Sequence, residues 1–142
     1  MTMYANIECI LDNFKATYPN DSFYVCKYKA PGGTSFYHGK KLLEIQLKDQ
    51  DWLTVHKLVR SLGTNVNDNE VKQKALPIIN DTIKITNYET RCDRICDSLK
   101  MIFPNHHVNV FIYGNDWQCA YHSKGKANFK KDYGSDVFIV LS

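Results

Sequence analysis

Residues 7–20 read IECILDNFKATYPN and residues 92–105 read CDRICDSLKMIFPN. In the first stretch Ile7, Ile10, Leu11, Phe14, Thr17 and Tyr18 recur at helical spacing. In the second, Cys92, Ile95, Cys96, Leu99, Ile102 and Phe103 fall at the matching positions. Apolar residues spaced i, i+3, i+4, i+7 share one face of an α-helix, so each stretch predicts an amphipathic helix with a single buried stripe. Both stripes end at an aromatic residue followed by Pro-Asn (Tyr18-Pro19-Asn20 and Phe103-Pro104-Asn105). Proline disfavours the helical conformation of the residue before it, which stops both helices for one reason. Asp12 and Lys15 match Asp97 and Lys100, and Thr86 with Glu89 three residues on predicts a capping box for the second helix.

The correspondence runs on into extended segments. Ser22 to Lys29 aligns with His107 to Gly114 and keeps Val25 with Val110 and Tyr28 with Tyr113. After Pro31-Gly32-Gly33, read as a hairpin turn, Tyr37-His38-Gly39-Lys40 lines up with Tyr121-His122-Ser123-Lys124, and Leu43–Leu47 with Val137–Leu141. Matches in one order, with only loop lengths changing, predict an α+β fold. It is an internal duplication of a helix plus a three-stranded antiparallel meander, giving a pseudo-twofold sheet of about six strands with the helices packed on it. Residues 1–142 read as a single domain: copy one spans about 4–48, a central helical connector about 49–85, and copy two about 86–142. In the connector Trp52, Val55, Val59 and Leu62 form a helical stripe closed by Gly63. Val71–Ile79 predicts a further short helix broken at Pro77, and Thr82–Thr86 a strand or an extended lead-in.

Alternation along the strands gives each sheet an aliphatic and an aromatic face. Leu43, Ile45, Leu47, Val137, Ile139 and Leu141 belong to the side that packs on helices. Tyr24, Cys26 and Tyr28 in copy one, and Phe111 and Tyr113 in copy two, lie on the other. That face is covered by the Trp52 segment, set against a partner, or used for a ligand. Tyr24, Tyr28, Phe111 and Tyr113 are therefore the candidate interface, which a twofold homodimer would bury if nothing else does.

Composition bounds the rest. An apolar content of 44% with 23% charged residues is that of a globular chain and excludes a disordered one. No apolar run reaches the roughly 18 residues of a membrane span, and no basic-then-apolar leader opens the sequence, so no membrane contact is expected. Five cysteines, an odd number without scaffold spacing, read as free thiols in a reducing, cytoplasmic compartment, the host-cell cytoplasm for a phage- or virus-encoded chain. The abundance of Asn, Lys, Tyr and Ile fits an AT-rich genome of that kind.

Three constellations bear on function. The paired Tyr-His-x-Lys segments place His38 and His122 at equivalent positions, suited to acid–base cleavage of a phosphodiester if both face one cleft. The arrangement resembles that of the two-histidine phosphoesterases, whose halves carry His-x-Thr or His-x-Ser. Lys40 and Lys124 stand here in place of the hydroxyl residue that would hold the phosphate, which argues against turnover. The second constellation is basic and aromatic: Tyr37, His38, Lys40 and Lys41 in copy one, and Trp117, Tyr121, His122, Lys124, Lys126, Lys130 and Lys131 in copy two. Lysines for phosphate and rings for base stacking are the components of a nucleotide or nucleic-acid site. The third, Cys92, Cys96, His106, His107 and Cys119, has some spacing for zinc, but Cys92 and Cys96 lie on the apolar stripe and read as buried thiols. No metal and no cofactor is expected. The sequence thus points to a non-enzymatic binding or inhibitory protein for an anionic ligand. The alternatives are a protein-partner inhibitor acting through the aromatic face, as a host-defence antagonist or toxin-neutralising protein would, and a phosphodiesterase or nuclease using His38 and His122.

Overall fold

A computed structural model describes residues 6–29, 33–36 and 39–142. The chain runs α1 (Ile7–Thr17), β1 (Ser22–Tyr28), β2 (Gly33–Phe36), β3 (Gly39–Gln46), β4 (Trp52–Leu58), α2 (Asp68–Thr82), α3 (Tyr88–Ile102), β5 (Val108–Tyr113), β6 (Trp117–Tyr121), β7 (Gly125–Phe129), a 3-10 turn (Lys131–Tyr133) and β8 (Asp136–Leu141). The fold is mixed α+β, with two antiparallel four-stranded sheets ordered β3-β4-β1-β6 and β2-β5-β8-β7. Each sheet borrows one strand: β6 pairs with β1, and β2 pairs with β5.

The two predicted helices form where their stripes place them. Asn6 caps α1 by accepting from the Cys9 amide at 3.1 Å, and the Tyr18 amide closes it on the Phe14 carbonyl just before Pro19. The cap of α3 is Asn87, accepting from Thr90 at 2.9 Å, one residue beyond the expected Thr86. That shift moves Glu89 out of capping-box register, and its carboxylate acts instead on the positive end of the helix. Pro77 does not break α2, which runs through it; the proline removes one backbone donor but leaves Val71, Ala75 and Ile79 on a common buried face. Residues Thr82–Thr86 form a helix end and turn rather than a strand.

The largest departure from expectation is Trp52–Leu58, which is strand β4 and not a helix. As a central strand it is covered on both faces, so Leu53, Thr54, Val55, His56 and Leu58 are all buried and no alternation marks it as extended. Val59 and Leu62, which completed the helical stripe, lie beyond the strand and are exposed. The described residues therefore form eight strands in two sheets, not six in one. By place in its sheet β8 lies as β4 does, second from an edge, whereas residues 43–46 lie in the edge strand β3. Nor is there a meander: Gly33 pairs with Tyr113 of the other sheet, so β1 and β2 do not form a hairpin, and Pro31 and Gly32 lie outside the described residues.

Three cores result. Phe23, Val25, Leu53, Val55 and Ala120 of the first sheet pack on Ile7 and Leu11 of α1. The outer face of the second sheet packs on α2 and α3 through Val108, Val110, Ile112, Phe129, Val137, Ile139 and Leu141. The aromatic faces close on each other between the sheets: Tyr24, Cys26, Leu58, Phe111, Tyr113, Phe138 and Val140 are buried there. The Tyr24 ring lies on Phe111 at 3.8 Å and 8° between planes, and the Tyr24 and Tyr113 hydroxyls meet at 2.8 Å. The candidate interface is thus covered from within. Tyr24, Phe111 and Tyr113 are buried, and Tyr28 packs at the margin against Tyr113.

One charge sits deep in the helical layer. Arg91 of α3 is 2% exposed and donates to the Ile79 and Tyr133 carbonyls and to the Thr82 and Ser135 hydroxyls. The last turn of α2 has no basic residue of its own, so Arg91 supplies the cation its carbonyl end favours.

Two outcomes are expected of the inter-sheet core. Tyr24→Phe leaves the buried Tyr113 hydroxyl with one partner fewer, costing about 1–2 kcal/mol in urea unfolding. Adding Tyr113→Phe should cost less than it does alone, because the orphaned group leaves with it. His56, 3% exposed, is pushed down to about 4, first by burial and then by Lys41, with Glu44 opposing. An unfolded imidazole titrates near 6.5, so between these values the unfolded chain holds the extra proton and the folded one does not. Stability should fall as pH drops from about 6.5 to 4, by on the order of 3 kcal/mol, and this part of the slope should vanish in His56→Phe. Equal slopes in the two proteins would show that His56 does not set it.

Candidate anion-binding site

Strand geometry scatters the residues that the sequence grouped. Tyr37 and His38 lie outside the described residues. Along Tyr121-His122-Ser123-Lys124 the side chains take three directions. Tyr121 points between the sheets onto Phe138 at 5.0 Å. His122 turns to the α1 side, where its Nδ1 accepts from the Phe23 amide at 3.2 Å and its ring meets Phe23 edge-on. Burial and the nearby Lys15 lower its pKa, against Asp12. Lys124 reaches away to the Ser61 carbonyl at 2.6 Å. In β3, Lys41 bonds Glu44 at 2.8 Å, while Lys40 lies beside Phe14, Tyr18 and Lys57 in a cleft of about 460 Å³ next to α1. Lys27 is tied to Asp49 at 2.8 Å and Asp51 at 3.6 Å.

One part of the expected set does assemble. Lys126 of β7 stands over the Tyr121 ring at 5.5 Å, and Lys130 over Trp117 at 5.8 Å. Trp117 is stacked on Tyr113 at 4.7 Å and donates from its indole nitrogen to Asp136 at 2.6 Å. The two rings close the open side of the sandwich and the lysines lie on them, so neither ring offers a bare stacking face. Tyr121 also raises the pKa of Lys126 by hydrogen bonding. Lys131 is exposed on the 3-10 turn.

A different cluster has the shape of a site. The loop leaving β4 and the turn after α3 enclose a pocket of about 500 Å³ lined by Arg60, Ser61, Leu62, Gly63, Thr64, Pro104, Asn105, His106 and His107. Among the described residues no carboxylate lines it. The loop has no regular structure and is held from four sides: Ser142 Oγ donates to the Val59 carbonyl at 2.7 Å, and Lys124 to Ser61. His106 Nε2 bonds the Thr64 carbonyl at 2.6 Å, and the Val66 amide bonds the Lys124 carbonyl at 2.6 Å. Arg60 is anchored by one nitrogen to the Asn20 carbonyl at 3.0 Å. The opposite wall is fixed by the Phe103 helix stop, by the His106 amide on the Phe103 carbonyl, and by a reciprocal backbone pair between His107 and Ser142.

A carbonyl only accepts, so His106 carries its proton on Nε2. Its Nδ1 is buried and has no hydrogen-bond partner among the described residues. A guanidinium with donors to spare, imidazoles, two hydroxyls and a side-chain amide in a space of this size suit a phosphate- or carboxylate-bearing ligand. A smaller cavity of about 190 Å³ shares Pro104, His106 and His107 and adds Cys96, Asp97 and Lys100. Sequence reasoning passed over this site, weighing His106 and His107 only as zinc ligands. Among the described residues no group of three or more His, Cys, Asp or Glu side chains could hold a metal, and the Cys92 and Cys96 thiols donate to the Val110 and Val108 carbonyls at 3.3 Å. The available signal was Arg60 and Gly63 after a strand, facing Pro104-Asn105-His106-His107 after a helix; it needed β4 to be read as extended.

Gly63 allows the two walls to meet. A β-carbon there would lie 2.5 Å from His106 Nε2 and 2.7 Å from the Asn105 carbonyl oxygen. Gly63→Ala should therefore push the loop off the turn, lowering stability by about 1–3 kcal/mol in chemical denaturation and unlinking His106 from Thr64. Unchanged stability together with an unchanged His106 ring environment by NMR would refute the close approach.

Comparison of the chain with protein-family models, with curated proteins and with solved structures finds no match in any of the three.

Proposed function

We propose that this chain is a non-enzymatic binding protein for a phosphate-bearing anion, a nucleotide or the end of a nucleic-acid strand, held in the pocket of Arg60, Asn105, His106 and His107. The observation that carries this reading is the lining itself: one guanidinium, two imidazoles, two hydroxyls and, among the described residues, no carboxylate in about 500 Å³. Lys124 is the member of the expected lysine set that takes part, bringing a positive charge onto the loop carbonyl of Ser61. Binding is favoured over turnover because the basic Nδ1 of His122 already accepts from the Phe23 amide. A general base must be within reach of the proton it takes. The protein-partner reading loses its original surface, since the aromatic face is internal.

We also read the chain as a duplicated unit of one helix and four strands. Matching β1, β2, β3 and β4 with β5, β6, β7 and β8 turns one sheet order into the other, with β2 and β6 as the exchanged pair. On this reading α2 is an addition that belongs to one half alone.

The test is calorimetric titration with pyrophosphate, adenosine nucleotides and a short oligothymidylate. At least one should bind, more weakly as salt rises. Arg60→Gln should weaken it about tenfold, near 1.4 kcal/mol. Lys126→Gln with Lys130→Gln should leave it unchanged. If the β7 lysines govern affinity and Arg60 does not, the ligand sits at the sandwich edge. If none of the three probes binds, the anionic reading is wrong. Chromatography of the recovered ligand settles turnover.

A further inference from the structure

Among the five cysteines, Cys26 of β1 and Cys119 of β6 are direct partners in the register between these strands. The hydrogen-bond parity of the ladder can be read from its two ends. The His122 amide donates to the Phe23 carbonyl at 2.9 Å, and the Lys29 amide to the Asp116 carbonyl at 2.9 Å. Phe23 and Lys29 are therefore in hydrogen-bonded pairs, and alternate pairs inward share that character. Cys26 and Cys119 fall on the intervening, non-hydrogen-bonded set, where opposing α-carbons approach to about 4.5 Å and side chains are nearest. A disulfide needs α-carbons about 4.4–6.8 Å apart, so the backbone can accept one as it stands. Both side chains point between the sheets, beside the Tyr24 and Tyr113 hydroxyls.

We propose that Cys26 and Cys119 form an oxidisable cross-strand dithiol, closing to an intramolecular disulfide that joins β1 to the exchanged strand β6. The oxidant is a small dialkyl disulfide such as oxidised glutathione. The Cys119 thiolate attacks one of its sulfurs and expels a glutathione thiolate; the Cys26 thiolate then attacks Cys119 Sγ and expels the second. Two protein S–H bonds become one S–S bond, the oxidant's S–S bond becomes two thiols, and two electrons pass to it. Cys119 reacts first because it is half-buried on an edge strand, whereas Cys26 is fully buried. Burial pushes Cys119 up to about 11 and Cys26 up to about 12, which makes the exchange slow in the neutral range. Around Cys119, Lys126 and Lys130 favour the thiolate and Glu8 opposes it, while Tyr24 donates to it; around Cys26 the donors are Tyr113 and Tyr24.

The other thiols do not compete for this geometry. Cys9 is exposed on α1, and Cys92 and Cys96 each donate to a separate β5 carbonyl. What the bond would do follows from where it lies. Strand β6 comes from the second half of the chain and is an edge of the first sheet, paired on one side only. A link from Cys26 to Cys119 closes a long loop, which restricts the unfolded chain and raises the stability of the oxidised form.

The test uses the full chain with Cys9→Ser, which removes the exposed thiol. After incubation with oxidised glutathione, intact mass should show the loss of two hydrogens with no adduct. Proteolysis should give one Cys26–Cys119 cross-linked peptide, and the melting temperature should rise by about 5 °C or more, reversed by dithiothreitol. Cys26→Ala should stop at a glutathione adduct on Cys119, and Cys119→Ser should give no disulfide even if the first variant folds poorly. A stable Cys119 adduct in the Cys26-containing chain overturns the proposal. So does a Cys92–Cys96 link in its place, or two Cys26 and Cys119 thiols still alkylatable after oxidation near the melting temperature.

Discussion

The Tyr24 ring lying flat on Phe111, with the Tyr24 and Tyr113 hydroxyls joined beside it, is where the two sheets become one body. Neither sheet could be soluble with that face uncovered, because Phe111, Tyr113, Phe138 and Tyr24 present a contiguous aromatic surface. Aromatic rings bring large buried area, and Tyr hydroxyls buried with them require partners. The structure meets that requirement by pairing them with each other and with the thiols of Cys26 and Cys119, and burial raises both phenols well above their ordinary range. The exchange of β2 and β6 works in the same direction. Each strand leaves its own half to extend the other's sheet, so separating the sheets would break ladder hydrogen bonds as well as aromatic contacts.

That arrangement explains how much of the fold could be read from the chain. The amphipathic stripes of α1 and α3 and their Pro-Asn stops were legible because a helix packed on one side has a period that survives in the sequence. Strands β1 and β5 are buried on both faces, but their successive residues turn by type to the helices and to the other sheet, and that alternation survives in the sequence. Strand β4 was not legible. Packed between α1 and the second sheet, it buries consecutive residues, and Trp52, Val55, Val59 and Leu62 fall at helical intervals by accident of that burial. With β4 read as a helix and β7 (Gly125–Phe129) not read as a strand, the eight described strands became six, in one sheet and not two. The exchange of β2 and β6 was beyond any local signal, since a strand's neighbour is decided by contacts far away in sequence.

The candidate site shows the same division. Lysines and aromatics near one another in sequence were dispersed by strand alternation: Tyr121 and His122 are consecutive and face opposite sides of β6. Where lysines did meet rings, at Lys126 and Lys130, their ammonium groups lie over Tyr121 and Trp117 at the edge of the aromatic core. The proposed pocket is built instead from two irregular segments, residues 60–64 and 104–107. Their composition is unremarkable, and only the sheet beneath them brings them together. Loops held on a rigid scaffold are where binding groups commonly sit.

The pocket is tied to the fold through the same strands that carry the sandwich. Its floor is the end of the β5–β8 ladder, where His107 and Ser142 exchange backbone bonds, and Ser142 Oγ then reaches the Val59 carbonyl at the exit of β4. Asn109, fully buried, donates to Val140 and to Ser142 Oγ, fixing that hydroxyl in place. A continuous series of polar contacts therefore leads from β5, through Ser142 just beyond β8, to the loop that presents Arg60. Small movements of one sheet against the other would be felt as changes in the distance between Arg60 and His106, because one wall belongs to β4 in the first sheet and the other to the α3–β5 turn of the second. The walls are also joined directly, by the His106–Thr64 hydrogen bond and the close approach of Gly63 to Asn105 and His106, so the pocket is braced both at its rim and through the aromatic layer beneath.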